Sequence, residues 1–267
     1  MIRGAVLGSP IAHSLSPTLH RAAFESLGIS GSYEAIDVPS GTLSDFFLAH
    51  ESDFDYFSLT MPLKEEVHTL NVTCDELSLR IGSINTLYKR DGRWFGTSTD
   101  GSGFLAALSS QGYSTFSHAL ILGAGGTARA VAGALDGNVE TLTVMGRTLT
   151  RRDALERCVE KSSFSYLSWI SDPNINSYDL IINTTPAGAA DLLAENLPSK
   201  VSGLLFDVIY KPWPTVLASA WSDRTGRVIN GKELLLWQGL DQLAIVLSQK
   251  IDRDSLSTQL RSILSPL

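Results

Sequence analysis

Short apolar runs alternate along the chain with amphipathic stretches. Ile2–Gly8 is apolar and ends in Gly8-Ser9-Pro10, which predicts a buried strand running into a turn. Ser16-Pro17 predicts a helix start, with Ser16 at the N-cap and Pro17 at the first helical position. Leu19, Ala22, Ala23 and Leu27 give that helix an apolar face, and Gly28 ends it. Ser32–Val38 alternates as a strand, Leu43–Ala49 reads as a helix, and Phe54–Thr60 is another strand. Lys64–Asn71 is predicted helical and Cys74–Ile81 a helical turn. Ser83–Lys89 and Arg93–Thr97 form a hairpin about Asp91-Gly92. The first third is thus a small α/β domain.

The pattern then repeats at larger scale. Gly101–Gln111 is a crossing helix, His118–Leu122 a buried strand, Thr127–Leu135 a small-residue helix and Thr141–Met145 the next strand. Arg151–Glu160 is predicted helical, and Asp179–Asn183 and Leu204–Val208 are further short apolar strands. Such alternation predicts a parallel, doubly wound sheet. After Asn230-Gly231 the chain is helical to about Gln249, with a last amphipathic helix over Arg253–Leu264. These two helices can return to the first domain and make it discontinuous.

Composition narrows the class. Over 267 residues, 43% are apolar and 18% are charged, the balance of an ordinary globular chain. Lys and Arg number 21 against 28 Asp and Glu, a net charge of −7, with no basic block. A nucleic-acid partner is not expected, nor, without a long apolar run, a membrane span. Cys74 and Cys158 lie in no CxxC or metal spacing, and His13, His20 and His68 have no metal-ligand spacing either. The expected compartment is the cytoplasm, with thiols reduced and no metal.

The segment LILGAGGTARAVAGAL, residues 120–135, carries the most specific local signal. A strand feeds a glycine turn, and a helix leaves it. Gly123 allows the tight turn, Gly125 lets backbone approach a diphosphate, and Gly126 and Ala130 permit close packing. The helix N-terminus offers free N–H groups and a favourable dipole. An NAD site would place an acid about 20 residues after the first glycine. Here the chain reads Val144-Met145-Gly146-Arg147-Thr148, with Arg151 beyond. Two guanidiniums and a hydroxyl suit a 2′-phosphate, so NADP is the expected cofactor.

Polar residues gather at predicted strand ends in the first domain: Ser14 and Ser16, Thr60 and Lys64, Asn85, and Thr99 with Asp100. Reducing a ketone by hydride creates alkoxide character that a proton donor must neutralise. Lys64 suits that task, with Asp100 to hold and tune it. Lys64 also reads as an ordinary lysine at a helix start, and the two serines as helix caps. Tyr210, just past a buried strand, either reaches a ligand or packs the domain boundary.

The chain resembles the shikimate dehydrogenase family over nearly its whole length. The resemblance is carried by VLGSPIAHSLSPTLH at 6–20, SLTMPLK at 58–64, GSINTL at 82–87 and STDGSGF at 98–104. It continues through LGAGGTARA at 122–130, GRTLTR at 146–151, NTTPAG at 183–188, DVIYKPWPT at 207–215 and NGKELLLWQGLDQ at 230–242. It implies a smaller N-terminal α/β substrate domain, residues 1–102, completed by helices within 236–267. A Rossmann-like, doubly wound NADP domain would occupy 103–235, with a deep cleft between the two. The implied reaction is reversible, NADPH-dependent reduction of 3-dehydroshikimate to shikimate, with Lys64 and Asp100 as the acid–base pair. Ser14 and Ser16 would hold the substrate carboxylate, and Thr60, Asn85, Tyr210 and Gln238 would complete the substrate pocket. Gly123, Ala124, Gly125, Gly126 and Thr127 would hold the diphosphate. Arg147, Thr148 and Arg151 would surround the 2′-phosphate, with Gly231 on the cofactor side. The family often has Asn where this chain has Arg21, Ser98 and Gly146, and Gly where it has Glu233. A quinate or dual shikimate/quinate dehydrogenase is the alternative, and the protein is expected as a monomer or homodimer.

Overall fold

The structure, a computed structural model, describes residues 1–265. Residues 266 and 267, which the sequence assigns to the substrate domain, lie outside the described residues. The chain divides into two compact units, Met1–Gly103 with the chain from Leu235 onward, and Phe104–Leu234.

The first stretch runs β1 (Ile2–Gly8), α1 (Ser16–Ser26), β2 (Gly31–Asp37), α2 (Leu43–His50) and β3 (Tyr56–Leu59). A 3-10 turn over Leu63–Thr69 follows, then β4 (Thr73–Cys74), α3 (Glu76–Ile81), β5 (Thr86–Arg90), β6 (Arg93–Thr97) and α4 (Asp100–Ser110). Next come β7 (His118–Leu122), α5 (Gly126–Leu135), β8 (Thr141–Gly146), a 3-10 turn over Leu149–Arg151, α6 (Arg152–Glu156) and β9 (Ser163–Ser168). The chain continues through β10 (Leu180–Asn183), α7 (Asp191–Glu195), β11 (Leu204–Asp207), α8 (Val216–Asp223), β12 (Arg227–Ile229), α9 (Gly231–Leu247) and α10 (Arg253–Leu264).

The first unit is built on one mixed sheet ordered β2-β1-β3-β5-β6-β4. β1 is parallel to β2 and β3, whereas β5 runs against both β3 and β6. Leu7, Phe57, Leu59, Leu87 and Trp94 are buried together with Leu43 and Phe47 of α2 on one side. Burying each such side chain contributes about 1.5–3 kcal/mol. The C-terminal helices belong to this unit for a steric reason. A Cβ on Gly239 would lie 2.7 Å from Leu19 of α1, so α9 rests almost backbone-to-side-chain on α1.

The second unit carries an all-parallel sheet ordered β12-β11-β10-β7-β8-β9. Its central strands are apolar runs buried on both faces, as in Leu120–Leu122 and Leu180–Ile182. Chain order reverses between β7 and β10, which makes their carboxyl ends the switch point.

Three local expectations are corrected. Ser16 is not the N-cap: α1 has Leu15 there, without a side-chain cap, and Ser16 is already helical. Its N–H instead points at Ser14 Oγ, 3.3 Å away. The helix expected over Arg151–Glu160 spans only Arg152–Glu156, and the chain leaves it in turns closed by Cys158 N–H to Leu155 O and Val159 N–H to Glu156 O. Asp136 Oδ1 then accepts the N–H groups of Lys161 at 2.8 Å and Ser162 at 3.0 Å just before β9, an edge strand that the sequence pattern does not predict. Lys64–Asn71 is a 3-10 turn starting at Leu63 and ending at Thr69.

Candidate functional site

Strand direction in the first unit gathers the polar residues at one sheet edge. β1 and β3 are parallel, with Leu7 opposite Leu59, so the segments bearing Ser14, Ser16, Thr60 and Lys64 leave from the same end. β5 is antiparallel to β3, with Ser58 opposite Thr86, so the residue before β5, Asn85, stands at that end too. β6 returns with Thr97 opposite Thr86, which brings Thr99 and Asp100 alongside.

The contacts follow from this arrangement. Lys64 Nζ lies 2.5 Å from Asp100 Oδ2, with the two side chains 16% and 5% exposed. Asp100 opens α4, where the helix dipole favours a carboxylate. Asn85 Nδ2 faces three acceptors: Asp100 Oδ1 at 2.7 Å, Thr99 Oγ1 at 3.0 Å and Gln238 Oε1 at 3.2 Å. An amide has two hydrogens, so one of the three is left for another donor. Asn85 Oδ1 accepts from the Thr99 N–H and the Thr86 hydroxyl, both at 2.8 Å. Gln238 reaches this cluster because α4 and α9 cross at Gly103, where a Cβ would sit 2.5 Å from Gln238 N. Ser16, Asn85, Asp100 and Gln238 are buried, whereas Ser14, Thr60 and Lys64 are partly exposed.

A second buried layer, unanticipated from sequence, supports the first. Gln242 Nε2 donates to Asn85 O at 3.2 Å and to Thr86 Oγ1 at 2.9 Å. Ser58 Oγ donates to Gln242 Oε1 at 2.8 Å, and Tyr33 Oη donates to Ser58 at 2.6 Å. His20 stacks on Tyr33 and shares a 2.8 Å hydrogen bond with Tyr56 Oη. Burial drives the His20 pKa down to about 3, and the same burial pushes both phenols up. Polar residues on α9 three or four apart, Gln238, Asp241 and Gln242, were the sequence signal for this layer.

The second unit provides a site at its switch point. Gly123 has φ +105°, and a Cβ there would lie 2.6 Å from Thr184 Oγ1 of the segment after β10. Gly125 is extended, and a Cβ built on it meets nothing within 4 Å. α5 then starts without a side-chain cap. The first N–H groups of a helix have no partner within the helix, and no side chain of residue 125 stands in front of them. Ala124, Gly126 and Thr127 are partly exposed, and Arg147, Thr148 and Arg151 are exposed on the segment after β8. Arg151 Nη1 donates to Ala124 O at 3.2 Å, so one guanidinium spans the glycine turn and the Arg147–Arg151 segment. A helix start without a side-chain cap, a glycine approach and guanidiniums after the second strand fit a dinucleotide with an additional phosphate.

Two further residues singled out in the sequence lie in this unit. Tyr210 is partly exposed after β11. Gly231 opens α9 where a Cβ would overlap the Val208 carbonyl oxygen. Asp207, at the end of β11, is held by Thr215 Oγ1 at 2.7 Å, Asn183 Nδ2 at 3.1 Å and the Ile209 N–H at 3.1 Å. Burial nonetheless raises its pKa, and the hydrogen bonds oppose the shift. Its bonds tie β10 to β11, a structural role. Among the described residues no cluster could hold a metal ion, and no helix is long and apolar enough to cross a membrane.

Known proteins share both units. Residues 6–87 match the shikimate dehydrogenase substrate binding domain. The shikimate dehydrogenase (NADP(+)) of Staphylococcus aureus strain JH9 is 33% identical over 264 residues, 95% of this chain and 96% of that protein. That of an Exiguobacterium species is 37% identical over 242 residues, 88% of each. The crystal structure of shikimate 5-dehydrogenase from Thermus thermophilus, in complex with NADP(H) and shikimate, superposes with a TM-score of 0.84. It is 34% identical, and the match covers 99% of this chain and 100% of that one. The chain belongs to the shikimate dehydrogenase family.

Proposed function

We infer that this protein catalyses the reversible, NADPH-dependent reduction of 3-dehydroshikimate to shikimate, with Lys64 and Asp100 as its acid–base pair. The observation that carries the assignment of the pair is the 2.5 Å contact between Lys64 Nζ and Asp100 Oδ2, at the edge where the substrate-domain strands end. When bound, NADPH supplies the hydride. The Lys64 ammonium donates a proton to the ring oxygen as that oxygen gains alkoxide character, and solvent reloads the amine. In the oxidative direction neutral Lys64 takes the hydroxyl proton back. Asp100 steers the amine and, through its contact with Asn85, is itself held in one orientation. Ser14 and Ser16 bind the substrate carboxylate, and Thr60 and Gln238 meet its ring hydroxyls. Asn85, whose amide is already engaged by protein acceptors, acts on the substrate through Asp100.

Gly123–Thr127 hold the diphosphate and Arg147, Thr148 and Arg151 the 2′-phosphate, with Gly231 on the cofactor side. Both cysteines are free thiols, which suits the reducing cytoplasm. The test is a spectrophotometric assay of purified protein with shikimate and quinate, each against NADP and NAD. Turnover of shikimate with NADP well above the other three pairings is expected. Equal or faster turnover of quinate would assign the dual or quinate activity instead.

A further inference from the structure

β8 ends in a glycine, Gly146, at the head of the segment that carries Arg147, Thr148 and Arg151. A neighbouring side chain accounts for it. β8 and β9 are parallel with Val144 opposite Tyr166, so the side chains of 144, 146 and 166 share one face of the sheet. The Tyr166 ring leans along its strand over Gly146. A Cβ built on Gly146 would overlap Tyr166 Oη and lie 2.9 Å from its Cζ and 3.2 Å from Ala124 Cβ. The phenol therefore occupies the volume that any side chain at 146 would need. Its hydroxyl is not idle: Oη donates to the Thr148 carbonyl oxygen at 2.9 Å. Arg151 Nη1, at the far end of the same short segment, bonds to Ala124 O at 3.2 Å. The segment is thereby held at Thr148 by Tyr166 from β9 and at Arg151 by the glycine turn before α5.

We propose that Tyr166 is a positioning residue for cofactor selection: it replaces a side chain at 146 and fixes the Arg147–Arg151 segment in the shape that receives a 2′-phosphate. This rests on the NADP reading given above. Glycine at 146 then reflects exchange of one polar group for another, contributed by a different strand, rather than the loss of a contact. Gly146 and Tyr166 form a matched pair: a side chain at 146 requires the phenol to move.

The test measures equilibrium binding of 2′,5′-ADP and 5′-AMP to the full chain, with thermal melts alongside. Tyr166→Phe keeps the ring and removes the bond to Thr148. It is expected to weaken 2′,5′-ADP by about three- to tenfold, the range of one hydrogen bond, while 5′-AMP changes little. Gly146→Asn alone is expected to weaken both ligands through collision with the phenol. Gly146→Asn combined with Tyr166→Ala is expected to regain 2′,5′-ADP binding relative to either single variant. Folded Tyr166→Phe and Tyr166→Ala proteins with an unaltered preference for 2′,5′-ADP would overturn the proposal and leave the NADP reading intact. A wild type that does not distinguish 2′,5′-ADP from 5′-AMP would overturn the NADP reading, and this inference with it.

Discussion

Asn85 donates through Nδ2 to Asp100 Oδ1 at 2.7 Å, which leaves the other carboxylate oxygen to face Lys64. One amide thus sets the orientation of the group that holds the lysine. Asn85→Ala should lower turnover by about tenfold or more and leave NADPH binding nearly unchanged. It also strands buried Thr99 and Asp100 groups, at a cost of about 1–3 kcal/mol. Steady-state kinetics with a urea titration checks both. Unchanged turnover in a destabilised variant would reduce Asn85 to a packing residue.

Ser14 and Ser16 separate in what they do for α1. Ser14 Oγ lies 3.3 Å from the Ser16 N–H, a weak bond at the helix entry, whereas Ser16 caps nothing. Ser14→Ala and Ser16→Ala should each raise the KM for shikimate with NADP affinity intact. Thermal melts should show at most a small loss for Ser14→Ala and almost none for Ser16→Ala. A large stability loss in Ser16→Ala with normal kinetics would contradict the assignment.

Arg147 is exposed on the segment after β8, with no acidic residue between Gly146 and Arg152. Arg147→Ala should raise the KM for NADP at least about tenfold relative to NAD, since a hydrogen bond to a charged group contributes about 1.5–3 kcal/mol. Parallel KM measurements with the two cofactors check this, and equal effects on both would defeat the claim.

Burial of His20 works against the fold at acid pH. Its folded pKa is about 3, against 6.5 for the unfolded residue. Below 6.5 the unfolded chain takes up a proton that the folded chain refuses, so stability falls with pH by about 1.4 kcal/mol per unit. The contribution is intact above 6.5 and is lost progressively toward 3. Asp207 and Asp241 have raised pKa values from burial and act with the opposite sign, favouring the fold as pH falls. Comparing denaturation midpoints of wild type and His20→Gln across this window isolates the histidine. An equal acid slope in both proteins would refute it.

What the sequence disclosed depends on how loudly each feature is written. The central strands of the second unit are unbroken apolar runs, and the glycine turn between β7 and α5 follows directly, so both were legible. β9 was not, because Ser163–Ser168 alternates serine with Phe164 and Tyr166 and resembles a polar loop. Tyr166 lies on that edge strand, and the two-residue alternation of Ser163, Phe164, Ser165 and Tyr166 is its one signal in the sequence. The edge cluster of Ser14, Thr60, Lys64, Asn85 and Asp100 was recognisable as residues at strand ends. Its buried support from Ser58, His20 and Gln242 was not, since pairs as far apart as Ser58 and Gln242 meet only through the packing of α9. Ser16 misled because serine before proline has the composition of a cap, while the backbone at Leu15 had already turned helical.

Single-turnover hydride transfer in Lys64→Met reads proton donation by Lys64 without interference from binding or product release. Methionine retains most of the stem and removes the amine. With binding of shikimate and NADP verified separately, the rate should drop by about 10²–10⁴, the usual contribution of a positioned acid–base group. A variant that binds both ligands normally and transfers hydride at near the wild-type rate would show that Lys64 is not the proton donor.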